Sequence, residues 1–425
     1  MNRVIRALVI GAVVIGFIYL IFFSGHVLTA KKRGAEVTIE FWGWGTYDRR
    51  QNLEEAARAF EREHPEIRVK FVPVVGDYLS KVMVGIGGGK AGDVMEQHYL
   101  GFPTLAYRGA FLDLTPFIEE DSYDLSDFFP IGLEAYQYRG KQYGLPLWGS
   151  TFCLIYNKDL FDENSYPYPD ETWTFEDLKK AADFFTRDRD GDGKLDQFGL
   201  NPYEFTFYLW SNGGEYISAD RTRCLLDQPV AIESLEYYRS VIPPGYWIGQ
   251  LANEFELGNV AMTVQGPWVL LAREGKIWPF TVGVSLFPQG KAGRKTRYSG
   301  IGATVWKDTK HPEESWEFVK FLASREGITR AIYGEDIPAR RTVAYSDFFI
   351  KPGTPYQEET FIKALETQAR IPPRLPQLTE IWNVMEAAVR YQIVEQGGDV
   401  EKALVEATAK VNEILARGSE EEWAE

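Results

Sequence analysis

The sequence contains few of the residues that build disulfide scaffolds, zinc sites and histidine-based catalytic centres. Its 425 residues include two cysteines, Cys153 and Cys224, and four histidines. The two cysteines fit no zinc or redox spacing and are too few for a disulfide scaffold, although a single bridge between them stays open. No G-x-S-x-G or H-E-x-x-H motif occurs. These absences argue against the common serine-hydrolase and zinc-protease arrangements.

Positive charge is also scarce relative to negative charge. Lys and Arg number 46 against 61 Asp and Glu, which gives a formal net charge of -15. Nucleic-acid binding depends on a basic surface that neutralises phosphates, so we expect no nucleic-acid partner. The many acidic residues leave one enzymatic alternative open, which is glycoside hydrolysis by a pair of carboxylates.

One long apolar run stands near the N-terminus. Residues 7–23 are apolar and follow Arg3 and Arg6, a pattern typical of an export signal or a single membrane anchor. We assign residues 1–35 to this segment and favour an anchor that is not cleaved. No cysteine follows the run, so lipid attachment there is excluded. We therefore expect an extracytoplasmic protein that contacts the membrane through its N-terminal segment.

Alternation and helical spacing along the chain predict an α/β protein. Residues 37–41 alternate like a half-buried strand, a helix follows, and residues 67–71 alternate again, which completes a β-α-β unit with parallel strands. The apolar run 152–156 predicts a buried strand, and Thr174 predicts the N-cap of a helix. The length, the 45% hydrophobic content and the absence of a flexible linker predict two lobes between which the chain crosses more than once.

Aromatic residues stand at several predicted turns and element ends. A flat apolar ring at the mouth of an α/β crevice suits a sugar ring, and Trp268 follows both a predicted strand and the turn at Gly266 and Pro267. For each ring taken singly, core packing is the alternative. The candidates are Trp42, Trp44, Trp148, Tyr203, Trp268 and Trp382.

One acidic loop has the spacing of a calcium site. Its carboxylates are Asp188, Asp190, Asp192 and Asp196. Gly193 occupies the sixth position, as a calcium loop requires, but Gly199 stands at the twelfth, where a bidentate Glu is usual. Calcium would therefore bind weakly, and the alternative is a solvated turn held by its own Asp side chains. No other cofactor is expected.

An ordered set of short motifs continues through the chain. They are Tyr143-Gly144-Leu145-Pro146, Tyr156-Asn157-Lys158-Asp159-Leu160-Phe161, Thr172-Trp173-Thr174, Asn212-Gly213-Gly214, Gly258-Asn259-Val260-Ala261-Met262, Gly266-Pro267-Trp268 and Ser315-Trp316-Glu317-Phe318-Val319-Lys320-Phe321-Leu322. From about residue 36 to residue 415, this set resembles the extracellular solute-binding proteins of ATP-driven importers, specifically the sugar-binding family that includes maltose-binding protein.

The resemblance implies an α/β, two-lobed periplasmic-binding-protein type II fold with an interlobe cleft and a hinge. The N-terminal lobe would comprise residues 36–148 and 302–350, and the C-terminal lobe residues 149–301 and 351–425. We expect the chain to cross between them near residues 148–153, near residues 298–302 and around Lys351.

The resemblance also implies function. We expect a monomeric receptor, not an enzyme, that binds an oligosaccharide and delivers it to the permease subunits of an ABC transporter. The expected ligand-binding residues are Trp42, Trp44, Glu96, Gln97, His98, Trp148, Tyr203, Gly266, Trp268, Gly300 and Trp382. The alternatives are the same fold with a polyamine, a peptide or a metal chelate, and a secreted carbohydrate-active enzyme.

Overall fold

The structure is a computed structural model that describes residues 37–44, 47–243, 246, 248–271, 278–332, 336–351 and 357–422. The strands are β1 (Val37–Trp44), β2 (Ile67–Val74), β3 (Val94–His98), β4 (Gln137–Tyr138), β5 (Lys141–Gln142), β6 (Gly144–Ser150), β7 (Cys153–Asn157), β8 (Phe198–Asn201), β9 (Val260–Gln265), β10 (Val282–Ser285), β11 (Thr296–Arg297), β12 (Ser299–Val305), β13 (Ile337–Pro338) and β14 (Ala369–Arg370).

The helices alternate with these strands. They are α1 (Tyr47–Glu63), α2 (Tyr78–Gly87), α3 (Phe102–Tyr107), α4 (Thr115–Glu120), α5 (Pro130–Ala135), α6 (Lys158–Glu163), α7 (Phe175–Phe185), α8 (Phe205–Ser211), α9 (Pro229–Ser240), α10 (Ile248–Glu256), α11 (Trp268–Leu271), α12 (Pro312–Leu322), α13 (Arg325–Ala331), α14 (Arg341–Ala344), α15 (Glu358–Thr367), α16 (Leu378–Glu386) and α17 (Val400–Glu422), with a π-helix at Ala387–Glu395 before α17.

The first sheet has six strands in the order β13-β6-β12-β3-β1-β2. β1 pairs in parallel with β2 and with β3, which confirms the β-α-β unit predicted from the alternating segments. β12 is antiparallel to both β3 and β6. Helices cover this sheet, because the ring of Phe318 on α12 lies 5.2 Å from Phe41 on β1 and 5.0 Å from Phe60 on α1.

The second sheet has four strands in the order β10-β7-β9-β8. Every residue of β7 is buried, as the continuous apolar run predicted. Helix α7 begins where expected, since the Thr174 side chain accepts the Asp177 N–H and the Asp177 carboxylate accepts the Thr174 N–H. Phe161 on α6 and Phe185 on α7 pack at 4.6 Å between ring centroids, and Phe161 also lies 5.3 Å from Tyr156 on β7.

The chain passes between the sheets at closely spaced points. Thr151 and Phe152 alone separate β6 of the first sheet from β7 of the second. The return path runs through β11, which pairs with β14, and then into β12 of the first sheet. The Thr151 and Thr296 hydroxyls are hydrogen-bonded at 2.6 Å and so join the two crossings. The third expected crossing, around Lys351, adjoins residues 352–356, which lie outside the described residues, and the lobe boundaries remain a prediction.

Two further expectations concern the cysteines and the N-terminal segment. Cys153 and Cys224 are both buried and free, so they do not form the bridge that the sequence left open. Residues 1–35, with the apolar run, lie outside the described residues. In the part of the chain that is described, no helix has the length and apolar character that a membrane crossing requires.

Candidate functional site

Two cavities adjoin each other, one between the two sheets and one between the first sheet and α16. The polar cavity, of about 360 Å³, is lined by Trp44, Arg49, His98, Leu100, Trp148, Phe152, Tyr203, Trp268, Arg297, Ser299, Gly300, Ile301 and Asp336. The apolar cavity, of about 390 Å³, is lined by Trp44, Gly76, Asp77, Tyr78, Leu79, Gln97, His98, Leu100, Gly101, Leu378, Thr379 and Trp382. Trp44, His98 and Leu100 belong to both, so the cavities share a wall.

Trp268 and its neighbours form the second-sheet wall of the polar cavity. Trp268 follows β9, as predicted, and packs edge to face on Phe152 with 5.3 Å between ring centroids. Phe152 in turn lies 5.0 Å from Tyr203, whose backbone adopts a left-handed φ of 61°. Such a conformation is rare for a tyrosine. Gly266 explains the Trp268 position, because a Cβ there would come within 1.9 Å of the indole.

Trp44 and Trp148 form the opposite wall. Trp44 stacks on Tyr78 with 4.1 Å between ring centroids, which leaves one face of the indole free of that partner. Trp148 is nearly fully buried, and the Arg49 guanidinium carbon lies 4.4 Å from its ring centroid. One face of Trp148 is therefore covered by a cation from α1.

Glu96 holds this wall in place and does not itself line either cavity. Its side chain is completely buried, and its Oε2 accepts the Trp44 N–H at 2.8 Å while its Oε1 accepts from Arg49 Nη2 at 2.8 Å. Burial raises the pKa of the Glu96 carboxyl, and the Arg49 charge opposes that shift. Glu96 therefore lies behind the wall of the polar cavity, and the ligand contact that the sequence predicted for it stays a prediction.

A second buried glutamate holds an arginine on the other side of the polar cavity. Glu204 accepts a hydrogen bond from Arg297 Nε at 2.9 Å, and its Oε2 lies 2.8 Å from Arg297 Nη2 in an ion pair. Its Oε1 also accepts from the Thr206 hydroxyl. Burial raises the pKa of Glu204 and lowers the pKa of Arg297 to about 10, so the guanidinium stays protonated at neutral pH. The positive charge of Arg297 opposes the effect of burial on Glu204 and favours the ionised carboxylate.

His98 lies where the two cavities meet, and Gln97 precedes it on β3. His98 Nδ1 accepts the Leu100 N–H at 3.4 Å, which leaves Nε2 to carry the proton of the neutral ring. Burial, followed by the positive charges of Arg297 and Arg49, lowers the pKa of His98 to about 3. A neutral imidazole N–H is a suitable donor to a hydroxyl. Gln97 lines the apolar cavity, and its Oε1 has no hydrogen-bond partner among the described residues.

Of the three remaining predicted site residues, two line a cavity and one does not. Trp42 lines neither cavity and instead packs so closely on Gly85 and Gly92 that a Cβ at either position would come within 2.7 Å of the indole. Gly300 lines the polar cavity, and a Cβ there would come within 2.2 Å of the Tyr298 hydroxyl. Trp382 lines the apolar cavity from α16. Trp42 is partly buried and packs against the core away from both cavities, so its predicted ligand contact stays a prediction.

The sequence did not identify several residues that line the cavities. Arg49, Phe152, Arg297 and Asp336 line the polar cavity. Phe152 and Arg297 lie at or next to the two predicted crossings between the lobes, and this position could have identified them as site residues. Asp336 accepts a hydrogen bond from Ser150 at 2.6 Å, and this contact joins residues 186 positions apart without a local pattern.

The acidic loop lies outside both cavities. Carboxylate oxygens of Asp188, Asp190 and Asp196 lie within 4.8 Å of one another, and Asp192 is not part of that group. The Asp188 oxygens already accept the Gly191 and Gly193 N–H groups at 2.6 Å and 2.7 Å. The loop therefore has the hydrogen bonding of a turn held by its own side chains.

Residues 46–329 match the family described as bacterial extracellular solute-binding protein. The chain belongs to this family. A binding protein of Brucella abortus is 26% identical over 382 residues, covering 86% of this chain and 90% of the relative. The galactooligosaccharide-binding protein of Bacillus subtilis is 24% identical over 420 residues, covering 92% of each chain. Membership of this family places the protein outside the cytoplasm.

Solved structures share the fold. An ABC substrate-binding protein of Listeria monocytogenes, solved with cycloalternan, has a TM-score of 0.77 at 25% identity and covers 90% of this chain and 99% of its own. The cyclic α-maltosyl-1,6-maltose binding protein of Arthrobacter globiformis has a TM-score of 0.75 at 20% identity, with 90% of this chain and 100% of its own covered. The two-lobed periplasmic-binding-protein fold predicted from the sequence is confirmed.

Proposed function

We propose that this solute-binding protein captures an oligosaccharide in the two adjoining cavities and delivers it to the transmembrane permease subunits of an ABC transporter. The observation that carries the proposal is the arrangement of Trp44, Trp268 and Trp382 on walls that also present Arg297 and the neutral His98. Indole faces supply apolar contact to sugar rings, and the polar groups select hydroxyls.

The relatives support a sugar as the solute. Two of them are named for galactooligosaccharide and maltodextrin, both in Bacillus subtilis. Of the two solved structures above, one was solved with cycloalternan and the other is named for cyclic α-maltosyl-1,6-maltose. Their agreement on ligand class favours a sugar over a polyamine, a peptide or a metal chelate.

The carboxylates that line the cavities also favour a receptor over an enzyme. Among the described residues, one carboxylate lines each cavity: Asp336 lines the polar cavity and Asp77 lines the apolar cavity. Glycoside hydrolysis by the usual mechanism uses two carboxylates on opposite sides of the scissile bond. A polyamine would likewise need several. We therefore propose binding without turnover.

Domain closure is the proposed mechanism. The polar cavity takes Trp44 and Trp148 from the first sheet and Trp268 from beyond a strand of the second. A ligand that contacts both walls binds the closed arrangement more tightly and shifts the population toward it. The permease would recognise that closed state. The crossing at Thr151 and Phe152 is the proposed hinge.

Calcium at Asp188, Asp190 and Asp196 is kept as a separate hypothesis about stability, because three carboxylates converge there. It has no part in the proposed sugar binding, since the loop lines neither cavity.

A thermal-shift screen of the purified protein against maltose, maltotriose, mannotriose, a galactooligosaccharide and cycloalternan tests the function. A ligand that binds the folded state raises the melting temperature with concentration. Incubation with the sugar, followed by chromatography of the sugar, then distinguishes a receptor from an enzyme. A shift with the sugar left intact supports the receptor, product formation supports the enzyme, and no shift with any sugar contradicts the proposal.

A further inference from the structure

Arg297 lies at the junction of the two cavities. Its guanidinium carbon is 5.4 Å from the ring centroid of Phe152, which lines the polar cavity, and 5.8 Å from that of Trp382, which lines the apolar cavity. The ring of Tyr99 lies 5.6 Å from the same carbon. The guanidinium thus stands between aromatic rings that belong to different compartments of the site.

The hydrogen bonds of Arg297 use only part of its donor capacity. A guanidinium carries five N–H donors. Nε donates to Glu204 at 2.9 Å, Nη2 is ion-paired with the same carboxylate at 2.8 Å, and Nη1 has no hydrogen-bond partner in the portion of the chain that the structure describes. Two charged donors are therefore left for a group that enters the cavity.

The surroundings of Arg297 make those remaining donors valuable. Its side chain is 9% exposed and that of Glu204 is 5% exposed. An N–H donor on a buried cation costs free energy when it has no hydrogen-bond partner. Hydrogen bonds to charged groups are also stronger than hydrogen bonds between neutral groups. The Glu204 contact also fixes the guanidinium plane, so the direction of Nη1 is set before a ligand arrives.

We propose that Arg297 is a specificity-determining residue whose Nη1 group donates to a hydroxyl of a neutral oligosaccharide at the junction of the two cavities, and so favours ligands that occupy both. This rests on the proposed function. Each cavity has a volume near the lower end of the range for small-molecule sites, so a longer ligand must pass the junction. Glu204 already balances the positive charge, which favours a neutral hydroxyl over an anionic group.

Calorimetric titration of the full-length protein tests this role, with maltose and maltotriose, mannobiose and mannotriose, and cycloalternan as probes. The variants are R297Q and R297K. Lysine keeps a cation for Glu204 but lacks the planar fork that directs Nη1. If R297Q fails to fold, R297K still provides the test. The matched control is R340K, because Arg340 is also paired with a carboxylate, Asp127, and also packs on an aromatic ring, Phe128, but lines neither cavity.

The expected result is a loss of about 10- to 100-fold in affinity for the trisaccharide or cycloalternan in both Arg297 variants, with a smaller loss for the disaccharide. R340K should match the wild type within about twofold. Equal losses for short and long sugars, or no loss in a folded variant, would overturn the role of Arg297 while leaving the receptor function intact. If the wild type binds none of the probes, the proposed function fails and this inference fails with it.

Discussion

The guanidinium carbon of Arg49 lies 4.4 Å from the ring centroid of Trp148, and the same guanidinium is paired with the completely buried Glu96. Through this contact one buried carboxylate fixes both a cation and a ring on one wall of the polar cavity. The arrangement is repeated on the opposite side by Glu204, Arg297 and the ring of Phe152.

Replacing Arg49 by Ala should destabilise the protein strongly. The change leaves Glu96 buried without its countercharge, for which we expect a loss of about 3 kcal/mol in the free energy of unfolding. Adding E96Q to the Arg49→Ala variant should restore part of that loss. Denaturant unfolding measures both. The neighbouring Arg50→Ala removes an exposed pair with Glu54 and should cost less than about 1 kcal/mol. Equal losses from the two alanine variants would contradict the role given to Glu96.

Trp268→Ala should weaken sugar binding at least about tenfold, which corresponds to about 1.4 kcal/mol of lost contact. Gly266→Ala should weaken binding in the same direction, because the new Cβ would meet the Trp268 ring at 1.9 Å and displace it. Calorimetry with the sugar found in the screen measures both affinities. The control is Gly87→Ala on α2, where a Cβ would have nothing within 4 Å. Unchanged affinity in Trp268→Ala would remove this ring from the site.

Acid should destabilise the protein in part through His98. Its pKa is about 3 in the folded protein against an ordinary value of 6.5, so between these values the unfolded chain binds a proton that the folded one does not. Stability from this group is complete above pH 6.5 and is lost progressively as the pH falls toward 3. Denaturant unfolding at pH 7 and pH 4 should therefore show a larger loss in the wild type than in His98→Gln. Parallel losses would show that His98 has no such effect.

Calcium should raise the melting temperature only if Asp188, Asp190 and Asp196 bind it. Because the Asp188 oxygens already accept two backbone N–H groups, we expect EDTA to leave the melting temperature of the purified protein unchanged and millimolar calcium to raise it by little. The variant Asp190→Asn removes one carboxylate of this loop and changes neither cavity. A calcium-dependent rise that this variant abolishes would establish a metal site.

Sequence reasoning predicted the elements whose determinants are local. The Thr174 capping box, the buried run that became β7 and the position of Trp268 just beyond β9 each depend on residues a few positions apart. Periodicity and capping are visible in such windows, and the parallel pairing of β1 with β2 follows from the helix between them.

The parts that were missed depend on contacts between distant segments. Glu204 and Arg297 are 93 positions apart, and Arg49 and Glu96 are 47 apart. A sequence shows that Glu96 follows other strand residues, but it does not show whether a carboxylate faces the ligand or a buried arginine. Trp42 and Trp44 stand two residues apart on one strand, yet only Trp44 lines a cavity, because Gly85 and Gly92 leave room for the Trp42 ring to pack away from it.

The two cysteines have a practical consequence for spectroscopy. Both thiols are buried, and burial raises the pKa of each above its ordinary value, so neither is expected to react readily with maleimide probes in the folded protein. A cysteine introduced at an exposed position on each side of the Thr151–Phe152 crossing would then carry a fluorophore without removal of a native thiol. The distance between two such labels would report the angle between the sheets directly, molecule by molecule, as sugar is added.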